Sequence, residues 1–141
     1  LLKQSAPSRI VIVASIMHHF AYFNNFNNPN PTSYIPVYLY CLSKRANIAF
    51  TLELARRLKG TGVTANCLHP GFVRTNIERH FPAICLIGWK LGRLTFFKTV
   101  EQGAETTIYL AVSDQVEGVS GKYFADCREA WLAGRTKDPG L

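Results

Sequence analysis

Residues 37–68 read VYLYCLSKRANIAFTLELARRLKGTGVTANCL, and this stretch decides the fold. Val37 to Lys59 is rich in Leu, Ala and Arg and holds no Gly or Pro, which predicts one long helix. Gly60 and Gly62 follow it as stop signals. Apolar residues such as Leu42, Ile48, Phe50 and Leu54 fall on nearly every side, which predicts burial in a core or an interface. Residues 63–68, VTANCL, predict a buried strand, and His69-Pro70-Gly71 breaks it.

Upstream, Arg9 to Ser15 reads RIVIVAS, a short β-branched run suited to a strand covered on both faces. Between this strand and the helix, His18 to Pro36 includes FNNFNNPNPTS, which is loop chemistry. A loop of that length tends to be functional. Downstream, Phe72 to Lys98 is apolar but irregular, Thr99 to Ser113 predicts an amphipathic helix, and Gly118 to Ala125 predicts a turn and a short strand. The order strand, helix, strand, helix, strand predicts an α/β fold with a parallel sheet and crossover helices. Such sheets bind ligands at the carboxyl ends of their strands.

With 141 residues, 48% hydrophobic and 18% charged, the chain is long enough for one domain with a real core and is not of disordered composition. The net charge of +7 is scattered, with no dense basic run and no interleaved aromatics. That argues against a nucleic-acid interface and suits a phosphate-bearing cofactor or an anionic membrane surface. Cys41, Cys67, Cys85 and Cys127 form no CxxC pair and have no zinc-ligand spacing, which predicts reduced, mostly buried thiols in an intracellular setting. No apolar stretch reaches the roughly 18 residues of a membrane span, and the opening LLKQSAPSR is too short and polar for a secretory signal. His18, His19, His69 and His80 are expected to be solvated or packing residues rather than metal ligands, because only the adjacent His18 and His19 are close in sequence and they face opposite ways on a strand.

The chemistry concentrates at Tyr40-Cys-Leu-Ser-Lys44. In a helix, residues i and i+4 share a face one turn apart, so a phenol and an ammonium stand side by side. A cation beside a phenol favours its ionised form and makes it a better proton donor and acceptor near neutral pH. Ser15 and Pro70-Gly71 fall just past the two strand ends, and Tyr40 and Lys44 open the helix between those strands. These features therefore converge on one edge of the sheet.

The stretches SRIVIVAS (8–15), YLYCLSKRANIAFTLELARRLKGTGVTANCLHPGFVRTNI (38–77), TVEQGAET (99–106) and SGKYFADC (120–127) resemble the C-terminal half of a short-chain dehydrogenase/reductase, and within that family the retinol dehydrogenase group. The resemblance implies a partial Rossmann-type, doubly wound parallel sheet without its N-terminal βαβ units. Residues 1–141 would form the C-terminal catalytic and substrate half of one domain. It further implies that Tyr40 is the catalytic acid/base, that Lys44 tunes it and bonds the nicotinamide ribose, and that Ser15 polarises the substrate oxygen. Pro70, Gly71, Val73 and Thr75 align with the loop at the nicotinamide end of the cofactor. The implied reaction is hydride transfer between NADP(H), in preference to NAD(H), and a lipophilic alcohol or carbonyl such as retinol/retinal. No metal is implied.

The departures from the family pattern are specific. Ala14 stands where a first serine is usual, and Ile12 where an asparagine is common. The TGxxxG turn, the NNAG segment and the upstream catalytic asparagine have no counterpart in these residues. The alternative reading is a truncated, inactive fragment acting only through a helical interaction surface. Residues 81–97, FPAICLIGWKLGRLTFF, are read three ways: a variable substrate lid, an interfacial membrane helix, or a core-packing segment. Residues 37–59 are the expected homodimer helix. Localisation is expected to be intracellular, either cytoplasmic or on a membrane of the endoplasmic reticulum or mitochondrion.

Overall fold

The structure, a computed structural model, describes residues 1–21, 36–74 and 97–132. Strand β1 spans Ser8–Val13, helix α1 Pro36–Arg57, strand β2 Val63–Leu68, helix α2 Val100–Val112, strand β3 Tyr123–Ala125 and strand β4 Arg128–Glu129. Two short 3-10 turns cover Ile16–Phe20 and Asp114–Val116. The sheet order is β1-β2-β3-β4, with β1, β2 and β3 parallel and β4 antiparallel to β3. The predicted α/β alternation is therefore present.

Alternation along the strands assigns each face its helix. Ile12, Cys67 and Tyr123 face α1, where Ile48 and Leu52 cover them. Val11, Leu68 and Phe124 face α2, where Leu110 covers them. β2 lies in the middle, and five of its six residues are buried. β1, expected to be covered on both faces, lies at the margin of the described sheet and keeps partial exposure, with Val13 45% exposed. A marginal strand leaves its outer backbone groups and part of each face without a neighbour.

Helix α1 begins with Pro36, whose fixed φ suits the first helical position. Its buried residues, Cys41, Arg45, Ile48 and Thr51, recur every three or four residues and form one stripe. The expectation of burial nearly all round is corrected: Phe50 on another side is 60% exposed, and Val37 and Tyr38 are exposed too. Helix α2 starts with a capping box, in which Thr99 Oγ1 accepts from Gln102 N and Gln102 Oε1 accepts from Thr99 N. At its other end the Arg9 guanidinium donates to Ser113 O at 2.8 Å, a cation against the negative end of the helix.

β4 was not expected from the sequence. Asp126 and Cys127 take φ of 50° and 57°, and they join Ala125 to its partner Arg128 as a two-residue hairpin turn. Asp-Cys is not one of the residue pairs that announce such a turn. Among the described residues, no helix is long and apolar enough to cross a membrane.

Candidate active site at the carboxyl edge of the sheet

β1 ends at Val13, and the chain continues through buried Ala14, whose N–H donates to Leu68 O at 2.7 Å. Ser15 then caps the first 3-10 turn: its Oγ accepts from Met17 N at 3.2 Å. One lone pair of that hydroxyl is thereby engaged while its proton remains available to an acceptor. Capping and a chemical role are compatible here.

α1 grips this segment on both sides of Ser15. Lys44 Nζ donates to Val13 O at 3.4 Å, and Asn47 Nδ2 reaches the same oxygen at 3.4 Å. The buried Arg45 guanidinium donates to Ala21 O, just past the end of the turn. Tyr40 lies one turn before Lys44, with Lys44 Nζ 5.5 Å from its ring centroid. Tyr40 is 37% exposed, so its side chain stands at the surface of this edge rather than inside the core. The structure thus brings Lys44 to the end of β1, two residues before Ser15, and to the Tyr40 ring. Asn47 and Arg45, which the sequence reading did not single out, hold the same segment.

The second loop follows β2. His69 Nδ1 accepts from Gly71 N at 3.0 Å, closing a tight turn around Pro70. Gly71 has φ +81°, a left-handed conformation in which a side chain is strained. A Cβ there would also lie 3.3 Å from the Lys98 stem. Lys98 N donates to Phe72 O at 2.8 Å and Arg74 N to Lys98 O at 3.0 Å, so Val73 and Lys98 pair as an isolated bridge. Phe72 and Phe97 stack at 5.7 Å beside it. The Lys98 ammonium also pairs with Asp126 in the β3–β4 turn. That hydrogen bond holds the Asp126 carboxyl below the usual carboxylate range. Thr75 and residues 81–96 lie outside the described residues.

Behind both loops lies a cluster that sequence reasoning underestimated. His18 is fully buried, as the packing expectation allowed, but it is not on a strand. In the 3-10 turn its ring meets His19 at 3.9 Å and, T-shaped, Tyr123 at 5.0 Å between centroids, with the Tyr123 hydroxyl 3.5 Å from His18 Nδ1. His19 stacks on Trp131 at 5.4 Å, and His69 approaches Tyr123 at 5.7 Å. Burial pushes His18 down to about 4, against the opposing pull of its bond to Ser15. His19 and His69 are lowered for the same first reason, and burial raises Tyr123. The adjacent pair His18-His19 was the available signal, but its meaning depends on the local helix type, which a β-branched run ending at Ser15 does not announce.

Comparison with known proteins bears on these residues. The short chain dehydrogenase family model matches residues 29–83. Human retinol dehydrogenase 14 is 50% identical over 148 aligned residues, covering 100% of this chain and 43% of that protein. Human retinol dehydrogenase 12 is 42% identical over 137, covering 97% of this chain and 43% of that protein. A Beutenbergia cavernae protein, assigned as an NAD(P)-dependent gluconate 5-dehydrogenase and crystallised with NADP at low occupancy, superposes with a TM-score of 0.60 at 27% identity. It is matched over 84% of this chain and 43% of its own. A Thermus thermophilus protein superposes with a TM-score of 0.62 at 22% identity, over 88% of this chain and 48% of its own, which speaks for the fold alone. The chain spans less than half the length of each of these relatives.

Proposed function

This chain belongs to the short-chain dehydrogenase/reductase family and groups with its retinol dehydrogenase-like members, and on that premise we propose that it carries the proton-transfer half of a nicotinamide-dependent oxidoreductase. Its substrate is a lipophilic alcohol or carbonyl of the retinol/retinal type, and NADP(H) is preferred over NAD(H). The dinucleotide's glycine-rich cradle comes from outside these 141 residues, which contain no TGxxxG segment. The observation that carries the reading is the grip of α1 on the Ser15 segment. Lys44 and Arg45, adjacent in sequence, donate to Val13 O and Ala21 O on either side of it, which supports a role for the Lys44 helix turn, with Tyr40, near Ser15.

The loop after β2 fits a nicotinamide. Pro70, Gly71 and Val73 are assigned to it by resemblance, and Gly71 gives the turn a left-handed residue without side-chain strain. Thr75 is assigned to the same loop by resemblance. Lys44 is assigned to the nicotinamide ribose. When bound, the cofactor supplies or accepts the hydride, and the protein supplies position and proton. In reduction, negative charge develops on the substrate oxygen as hydride reaches its carbon. The Ser15 hydroxyl hydrogen-bonds that oxygen, and the Tyr40 hydroxyl gives it a proton. The alcohol leaves with one hydride and one proton gained, and the reverse direction runs through the same groups.

Exposed Phe50 on α1 supports self-association through that helix in the assembled enzyme. The alternative of an inactive fragment with only an interaction surface is less favoured, because the similarity to dehydrogenases runs through the whole chain. The test is the oxidation of NADPH, followed at its nicotinamide absorbance, with all-trans-retinal as substrate and the complete protein including a glycine-rich segment. Tyr40→Phe is expected to lower the rate by about 10²–10⁴-fold. A Tyr40→Phe protein as active as its parent refutes the reading.

A further inference from the structure

We propose that His18 is the positioning residue of Ser15: its Nδ1–H, donated to the Ser15 carbonyl oxygen, fixes the direction of the Ser15 hydroxyl. The inference rests on the role given to Ser15 above and deepens it. Ser15 has φ −158° and ψ 152°, an extended backbone that any residue adopts, so its own conformation does not determine where its side chain points. Two donors converge instead on its carbonyl: His18 N at 3.1 Å and His18 Nδ1 at 2.8 Å. The Oγ is held at the other end of the residue by Met17 N. Carbonyl and hydroxyl are both tethered, and the hydroxyl proton is left for the substrate.

The imidazole is a rigid tether. It has no exposed surface, and it lies against the His19 ring and, in a T-shaped arrangement, the ring of Tyr123 from β3. A carbonyl oxygen cannot donate, so the 2.8 Å contact requires the proton on Nδ1. Nε2 is then an acceptor, and it is buried with no hydrogen-bond partner among the described residues. A buried polar atom left unpaired is a cost that an apolar ring of similar size would avoid. The imidazole is retained at that cost for its other nitrogen. The charged and titratable neighbours are Tyr123 on β3, whose hydroxyl lies 3.5 Å from Nδ1 and can share its proton as a second acceptor, and His19 on the same turn, Arg45 on α1 and His69 after β2, each of the last three disfavouring a positive charge on His18. A neutral donor to a carbonyl is the form this pocket accommodates.

Two amide substitutions separate the roles of the two nitrogens, because asparagine places its Nδ2 near the position of imidazole Nδ1 and glutamine places its Nε2 near the position of imidazole Nε2. In the complete enzyme, His18→Asn is expected to keep the parent kcat. His18→Gln is expected to lose about 100-fold in kcat, the scale of a misplaced catalytic group, with the KM for NADPH unchanged. In a Ser15→Ala background, His18→Gln is expected to add no further loss, since the group it positions is already gone. Equal rates for the two amides, or a full second loss in the Ser15→Ala background, overturn the proposal. Nitrogen-15 NMR of the unsubstituted protein tests it independently of variant folding: the Nδ1-protonated tautomer is expected, and an Nε2-protonated ring overturns it. Tyr40→Phe and Ser15→Ala run alongside. If both retain parent activity, the reading of the site has failed rather than the role of His18.

Discussion

Gly103 lies inside α2, where alanine is the better helix former by about 1 kcal/mol. On local grounds Gly103→Ala therefore stabilises the protein. The tertiary structure reverses the sign. A Cβ at Gly103 would stand 2.5 Å from Val73 Cγ2, 3.0 Å from Cγ1 and 3.4 Å from Cβ. Ordinary carbon contacts lie near about 3.5–4.0 Å, so the closest methyl must move by about 1 Å. Overpacking of this kind costs about 1–3 kcal/mol. Set against the helix gain, Gly103→Ala is expected to be neutral to destabilising, by up to about 2 kcal/mol. In a Val73→Ala background the obstruction is gone, and the same change should stabilise by about 1 kcal/mol. The double-mutant cycle thus carries a coupling of about 1–3 kcal/mol. Urea titrations of the four proteins, read as midpoint shifts at a common slope, measure it. A stabilisation near 1 kcal/mol in both backgrounds would show that Val73 does not rest on this helix. Displacement of Val73 also shifts the Gly71 loop, so a raised KM for NADPH should accompany the stability loss.

Gly71→Ala places a Cβ at φ +81° against the Lys98 stem and should cost about 1–2 kcal/mol, with weaker cofactor binding; calorimetric titration with NADPH checks it. Ile48, fully buried between α1 and the sheet, should lose about 2–5 kcal/mol on change to alanine, measured as a fall in the urea midpoint. Burial holds the folded pKa of His18 at about 4 against its ordinary value of 6.5. The unfolded chain binds the extra proton between those values, so stability is fully present above the upper one and is lost as pH falls through the lower. That contribution reaches about 3 kcal/mol, and lowered His19 and His69 act in the same direction. Urea unfolding at a series of pH values should show a fall in stability below the ordinary histidine range, with a shallower slope in His18→Asn. Equal slopes would contradict the burial of a neutral ring. Cys67, pushed up to about 12 by burial, should resist a disulfide reagent at pH 8 until the protein unfolds.

Apart from β4 and the two 3-10 turns, the elements and their order were legible in the sequence alone. A β-branched run, a Gly-free helical stretch with Gly stops and a second apolar run admit few arrangements other than parallel strands joined by crossovers, because each apolar face must be covered. It also placed Ser15, Tyr40, Lys44 and Pro70-Gly71 at one edge, since all follow strand ends or open the helix between them. Periodicity did not reveal how these groups are held. Lys44 and Arg45 neighbour each other in sequence but serve Val13 and Ala21, eight residues apart along another segment. His18 and His19 face opposite ways on a strand, yet touch in the 3-10 turn. The Asp126-Cys127 hairpin turn carries no sequence signal of the usual kind, and Lys98 reaches Asp126 across 28 positions. The helix that looked apolar all round buries one stripe only. Local patterns report which face a residue occupies on its own element. Which carbonyl a lysine finds, or which ring a histidine meets, depends on how close two elements come, and only the packed tertiary structure decides that distance.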